Sequence, residues 1–158
     1  MSSITLESVL ATVPNGTCPL PGIGAAGQPA ASDWKELAAA GVRTVVDLRA
    51  PNEPRGHDEP DAVRAAGMAY VAIPVTQVTL GDEQFDALRT LLRDPSRRPI
   101  VVHCASSNRV GALLLPYFVL DERQPLDKAI ELAIDAGLRS QELATLAVDY
   151  VRRHSASP

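Results

Sequence analysis

Residues 99–111 read PIVVHCASSNRVG, from Pro99 to Gly111. Pro99–His103 is short, apolar and β-branched, which predicts a buried strand, apolar enough to be central in a sheet. A tight polar loop, CASSNR, follows, and VGALLLPYFVL (Val110–Leu120) then reads as a helix with Pro116 inside it. Strand, polar loop and helix in that order put the loop at the carboxyl end of a strand, where α/β sheets bind ligands. Loop amides wrapped ahead of a helix N-terminus form an anion nest, and the helix dipole adds roughly half a positive charge. A cysteine in such a field ionises more easily. An arginine offers a planar fork to two oxygens of a phosphate-like group. One loop thus supplies a nucleophile in Cys104, an anion cradle, and a transition-state clamp in Arg109. The plainer reading of Cys104 is a small hydrophobe after a core strand.

Outward from this segment, Val42–Leu48 (VRTVVDL) and Met68–Val75 (MAYVAIPV) read as two further strands. Helices are expected from Ser32 or Asp33 to Gly41, with Asp33 and Glu36 at capping-box spacing, and from Pro60 to Gly67. Three more follow: EQFDALRTLLRD behind an Asp82 cap, Leu126–Ala136, and Ser140 to about Arg153. The first 30 residues are dense in proline and glycine and read as loop. Strands alternating with helices predict an α/β fold with a mostly parallel sheet. The 158 residues fit one domain, 1–158, with a loop-rich segment at 1–30 and a C-terminal helix and frayed tail at 138–158.

Hydrophobic residues make up 46% and charged residues 22%, which excludes a disordered or fibrous chain. The net charge of -4 and the lack of a basic stripe argue against nucleic acid as a partner. A bound anion must be drawn by a local field. No apolar run reaches ~18 residues, so no membrane partner is expected. The N-terminus shows no basic stretch followed by a long apolar one, and a cytoplasmic location is expected. Cys18, Cys104, His57, His103 and His154 are scattered, without metal-pair spacing, so neither metal nor cofactor is expected. Oligomeric state is not legible.

Four segments carry a family resemblance: GQP (Gly27–Pro29), AAAGVRTVVDLR (Ala38–Arg49), GMAYVAIPV (Gly67–Val75) and VVHCASSNRVGAL (Val101–Leu113). In order and spacing they resemble the beta-lactamase-hydrolase-like phosphatase-like family, a bacterial branch of the dual-specificity phosphatase fold. The resemblance implies a cysteine-phosphatase fold, a central mostly parallel sheet flanked by helices. It implies hydrolysis of phosphate monoesters on a phosphorylated small molecule or phosphoprotein, through a phosphocysteine intermediate. Cys104 would be the nucleophile, Arg109 the phosphate binder, and His103 the residue that tunes the thiolate. Ala105, Ser106, Ser107 and Asn108 would supply loop amides.

The loop departs from that pattern. Four residues separate Cys104 from Arg109, where tyrosine and dual-specificity phosphatases have five, and four is also the rhodanese spacing. Val110 stands where a serine or threonine usually helps the thiolate leave, a role open to Ser106 or Ser107. The loop has no glycine, so Asn108 is the expected left-handed residue. VVDLRAPNEPRGHDEPDA (Val45–Ala62) is similar to a rhodanese pattern. Two alternatives therefore stand: a sulfurtransferase carrying a persulfide on Cys104, and a catalytically weak phosphate-recognising module. For a general acid, Asp82 reads better as a helix cap, with Glu53 and Asp58 as alternatives. Asp47 and Arg49 read as a structural pair or pocket edge. Cys18 reads as a resolving thiol for Cys104 or a buried spectator. Trp34 and Phe85 are expected to pack, His57 to be solvated, and His154 to lie in the tail.

Overall fold

The computed structural model describes residues 4–155. In chain order the elements are α1 (Leu6–Leu10), β1 (Thr17–Leu20), β2 (Ile23–Ala26), α2 (Asp33–Ala39), β3 (Thr44–Asp47), α3 (Glu59–Ala65) and β4 (Ala69–Ala72). There follow α4 (Asp82–Leu92), a 3₁₀ turn (Pro95–Arg97), β5 (Ile100–His103), α5 (Asn108–Leu120), α6 (Leu126–Asp135) and α7 (Gln141–Ser155). The sheet order is β1-β2-β5-β3-β4, with β5 central as its apolar run predicts. β2, β5, β3 and β4 are parallel, and only β1 is antiparallel to its neighbour.

Alternation along β5 divides the core into two layers. Ile100 and Val102 face the larger layer, built from α4, α5, α6 and α7, whereas Val101 faces α1, α2 and α3. The middle of α5 is apolar on every side, and Val110 through Phe118 are all buried. Truncating one of its fully buried leucines, such as Leu114, is expected to cost about 2–5 kcal/mol.

Three elements correct the sequence reading. The first 30 residues are not a loop: they hold α1 and the β1–β2 hairpin. The hairpin turns through Pro21-Gly22, with Gly22 at φ 79, between the paired Leu20 and Ile23. Proline followed by a left-handed glycine is a strand-joining turn as much as loop punctuation. Asp33 makes no capping box; its carboxylate reaches back to the Ala30 amide at 2.7 Å. Asp82 is not a cap either. Gly81 precedes the helix, its amide donates to Gln84 Oε1 at 2.9 Å, and Asp82 pairs instead with Arg153 at 2.8 Å. Ser140 does cap α7, accepting from the Leu143 amide at 3.2 Å.

Trp34 and Phe85 are buried as expected. His57 is not a solvated loop residue: it is half-buried, and its Nε2 accepts the Trp34 indole N–H at 2.8 Å. His154 is not in a frayed tail: α7 continues through Ser155 and its imidazole stacks on the Tyr150 ring at 3.8 Å, while residues 156–158 of the expected tail fall outside the described residues. Among the described residues no helix is long and apolar enough to cross a membrane.

Candidate active site

The loop between β5 and α5 leaves the sheet at Cys104, a residue 1% exposed whose amide donates to Ala26 O at 3.2 Å. Ala105 O accepts the Gln28 amide at 3.1 Å, and Ser106 bridges to Gly27. The chain then turns at Ser107, which takes the left-handed conformation at φ 69. Asn108, expected there, is instead the first residue of α5. Among the described residues nothing accepts a hydrogen bond from the amides of Ala105, Ser106, Asn108, Arg109 and Val110, whereas the Ser107 amide faces Ala26 O across the Gly27–Ser106 bridge. These amides lie just before and within the first turn of a thirteen-residue helix, at its positive end, an arrangement that suits an oxyanion.

Arg109 is already positioned. Its two Nη atoms donate to Glu53 at 2.8 and 2.9 Å, and Nη1 also donates to Val75 O at 2.9 Å. Glu53 further accepts Arg49 Nε at 3.1 Å and the Ala50 amide at 2.7 Å. The Arg109 hydrogen bonds hold the Glu53 carboxyl down at about 2. Arg109 is raised in turn, first by Glu53 and then by the Cys104 sulfur, which lies within reach of the same guanidinium.

Behind the loop lies a buried charged network. His103 Nε2 is 2.5 Å from Glu59 Oε2 and 3.8 Å from Asp47 Oδ1. Its Nδ1 lies 3.4 Å from the carbonyl oxygen of Cys104, so the ring meets the backbone of the cysteine rather than its sulfur. Arg55 Nε donates to Asp47 at 2.7 Å, as does the Tyr70 hydroxyl at 2.6 Å. Burial opposes ionisation of Asp47, but Arg55, His103 and Tyr70 outweigh it and its pKa is lowered. Burial and the Asp47 bond raise that of Tyr70. Asp47, Glu59 and His103 bring potential ligand atoms within 4.8 Å of one another. Every carboxylate oxygen there already accepts, however: Asp47 from Arg49 N, Arg55 and Tyr70, and Glu59 from Gln28 Nε2 at 2.8 Å and His103. The cluster is a filled network rather than an open ligand set.

The opposite side of the loop is held by the α6–α7 connection. Ser107 Oγ donates to Ala136 O at 2.6 Å. Asn108 Oδ1 accepts the amides of Arg139 and Ser140 at 2.7 and 3.1 Å. Arg139 Nη2 donates to Ser106 Oγ at 2.8 Å. Gly137, at φ 120, packs so closely that a Cβ there would lie 2.7 Å from the Ser107 carbonyl oxygen. With its hydroxyl committed to Ala136, Ser107 cannot serve the thiolate as the sequence reading allowed.

A cavity of about 300 Å³ opens over Arg109, lined by Glu53, Thr76, Gln77, Asn108 and Leu143. Gln77 donates across its mouth to Glu142. None of the acid candidates is a free carboxylic acid facing it. Asp82 is bound to Arg153, which lowers its pKa; Asp58 caps α3 through the Asp61 amide at 3.3 Å; and Glu53 is the clamp on Arg109. A larger hollow of about 420 Å³ lies beside Arg55, His57 and Tyr70, beyond Arg49. Cys18 is not a resolving partner in this fold. It packs in the α1–α2–α3 layer while Cys104 sits in the other, and the sheet separates them. Burial, then the nearby Glu7, pushes the Cys18 thiol up to about 11.

Gln28, Arg55, Glu59, Tyr70 and Arg139 were missed in the sequence. Gln28, Tyr70, Arg55 and Glu59 lie within segments that carried a family signal (GQP, GMAYVAIPV and Val45–Ala62) but not a residue-level one, and Arg139 lies in none.

A central parallel strand, a cysteine at its end and an arginine at the start of the next helix define the fold of the dual-specificity-like cysteine phosphatases. Solved structures agree. A DUF442 protein of Shewanella putrefaciens CN-32 superposes with a TM-score of 0.78 at 22% identity, covering 92% of this chain and 97% of that one. TpbA of P. aeruginosa, solved in complex with pTyr, superposes at 0.71 with 19% identity, covering 91% of each chain. The chain belongs to the family described as DSP-PTPase phosphatase fused to NAD+ Kinase, whose model matches residues 24–142. A Beta-lactamase hydrolase-like protein of Xylella fastidiosa is 29% identical over 106 residues, 65% of this chain. The chain spans about a quarter of that relative's length (24%).

Proposed function

We propose that the chain is a cysteine-dependent phosphatase working through a phosphocysteine intermediate. The observation that supports this reading is the set of unpartnered amides at Ala105, Ser106, Asn108 and Arg109, in the segment that runs from Cys104 to Arg109. Cys104 attacks phosphorus, the amides and Arg109 hold the equatorial oxygens, and water releases phosphate from the thiophosphate. His103 is a positioning residue, acting through the Cys104 carbonyl and the Glu59 network. The substrate is a phosphorylated small molecule or a phosphoprotein. Family membership and the likeness to a phosphatase fold support the reading.

The test is release of p-nitrophenol from its phosphate ester by the wild type and by Cys104→Ser. Turnover that Cys104→Ser abolishes is the expected result. Turnover that survives the substitution removes Cys104 as nucleophile.

A second reading has its own observation. The four-residue spacing from Cys104 to Arg109, with no free carboxylic acid facing the cavity among the described residues, also suits a persulfide carrier, which needs no proton donor. Thiosulfate with cyanide tests it in parallel. Thiocyanate formed without p-nitrophenol favours the sulfurtransferase, and neither product, with phosphate still bound, favours a recognition module.

A further inference from the structure

Two observations at the mouth of the loop converge on one kind of leaving group. The first concerns what faces the cavity. Thr76 and Gln77 stand on the β4–α4 connection, and the carboxylate lining the cavity is Glu53. Both Glu53 oxygens accept from Arg109, and Arg49 and the Ala50 amide add to the hold. A carboxylate held by two guanidinium groups has no proton to give. Glu142, across the mouth, accepts the Gln77 amide. An alkoxide leaving group needs a donor, which contributes about 10²–10⁴-fold. Such a site suits an oxygen that departs as an anion unaided.

The second observation is Arg139. It comes from the α6–α7 connection, outside the Cys104–Arg109 segment, and is exposed. Its Nη2 donates to Ser106 Oγ at 2.8 Å and Ser106 O at 3.3 Å, and its Nη1 to Gly137 O at 3.1 Å. Among the described residues no carboxylate pairs with it, in a chain of net charge -4. It is a second cation beside the loop, with a fork that suits an oxyanion.

Each simple substrate class satisfies one observation. Aryl and acyl phosphates leave without a proton but give Arg139 nothing to hold. A bisphosphorylated alcohol offers a second anion but leaves as an alkoxide. A phosphoanhydride satisfies both, because its leaving group is itself a phosphate. We propose, building on the phosphatase reading, that the site removes the terminal phosphate of a diphosphate, with Arg139 holding the phosphate that leaves. In the first step the Cys104 thiolate forms an S–P bond as the bridging P–O bond breaks. The electron pair stays on the bridging oxygen, which departs as part of the phosphate anion beside Arg139. In the second step water attacks phosphorus and the S–P bond breaks. Its electrons return to the thiolate, and hydrogen phosphate and one proton pass to solvent.

The experiment compares phosphate release from inorganic pyrophosphate, acetyl phosphate and glycerol 1-phosphate, with p-nitrophenyl phosphate as a fourth arm. Pyrophosphate and acetyl phosphate are expected to turn over about a hundredfold faster than glycerol 1-phosphate, the lower end of what an acid contributes. Arg139→Ala is expected to lower the ratio of kcat/KM for pyrophosphate over acetyl phosphate about tenfold, chiefly through KM, equivalent to ~1.4 kcal/mol. Arg139→Lys is expected to restore part of that ratio. Equal turnover of glycerol 1-phosphate overturns the proposal while leaving the phosphatase reading intact. So does a hundredfold loss on glycerol 1-phosphate in Glu142→Gln, which would make Glu142 the donor. An unchanged ratio in Arg139→Ala removes Arg139 from recognition. No Cys104-dependent turnover of any of the four, p-nitrophenyl phosphate included, overturns the phosphatase reading itself.

Discussion

On one side of the β5–α5 loop stand Asp47, Glu53, Arg55, Glu59 and His103, nearly all ion-paired and mostly buried. On the other, Ser106, Ser107 and Asn108 meet Ala136–Ser140 through hydrogen bonds and close backbone packing. The first wall fixes charge: it aims the Arg109 fork and backs the Cys104 carbonyl with His103. The second fixes shape: it holds Ser107 in its left-handed turn. The two failures should differ accordingly. Losing a partner in the first wall strands a buried charge, whereas a change in the second distorts the cradle.

The largest expected effect tests the buried wall. Glu59→Ala removes a buried partner of Arg55 and leaves His103 and Gln28 without their acceptor, and should cost about 3–5 kcal/mol, the usual result of breaking a buried ion pair. A shift in the urea midpoint equivalent to less than about 1 kcal/mol, within the range of surface pairs, would show that water reaches the network.

Next in size is Gly137→Ala. It places a methyl against the Ser107 backbone in a left-handed conformation and should cost about 1–3 kcal/mol. The sharper readout is the cradle: the stabilisation that millimolar phosphate gives the wild-type protein should shrink with it. Full retention of that stabilisation would mean the second wall does not shape the amides.

Glu53 joins the walls to pH. Its folded pKa, about 2, lies below its ordinary 4.5 because Arg109 favours the charged form. A depressed carboxylate contributes stability that is present above pH 4.5 and is lost as pH falls through 2. Glu53→Gln should therefore flatten the acid side of the stability curve in that window. It should also release Arg109 and lower turnover. An identical acid limb in wild type and variant would contradict the ion pair.

The smallest effect serves as the control. Asp82→Asn removes an exposed pair with Arg153, away from both walls, and should leave turnover unchanged and the melting temperature nearly so. A large loss on a poor leaving group would restore Asp82 as a proton donor.

The two walls also differ in how far the sequence discloses them. Cys104, the loop and Arg109 lie within one contiguous segment, so strand, loop and helix start could be read together. The supports come from far along the chain. Gln28 meets Glu59 across 31 residues, His103 meets Glu59 across 44, and Arg139 meets Ser106 across 33. No local period or spacing encodes such meetings. Asp82 shows a related failure: a carboxylate at a helix start has the chemistry of a cap, and only the packing of α7 gives it Arg153. The β1–β2 hairpin was obscured because Pro21-Gly22 terminates a loop and joins two strands with the same residues.

The left-handed turn at Ser107 has a consequence for exchange with solvent. The loop amides are held open by side chains and neighbouring backbone, with no hydrogen bond of their own to break. In the free protein the amides of the exposed Ala105 and the half-buried Ser106, Asn108 and Arg109 need no unfolding event to reach water, so their hydrogens exchange at rates set by access alone. When an oxyanion occupies the cradle, the same amides become the most strongly protected of the loop without any movement of the chain. Ala105, Ser106, Asn108 and Arg109 thus form a built-in occupancy gauge, readable amide by amide.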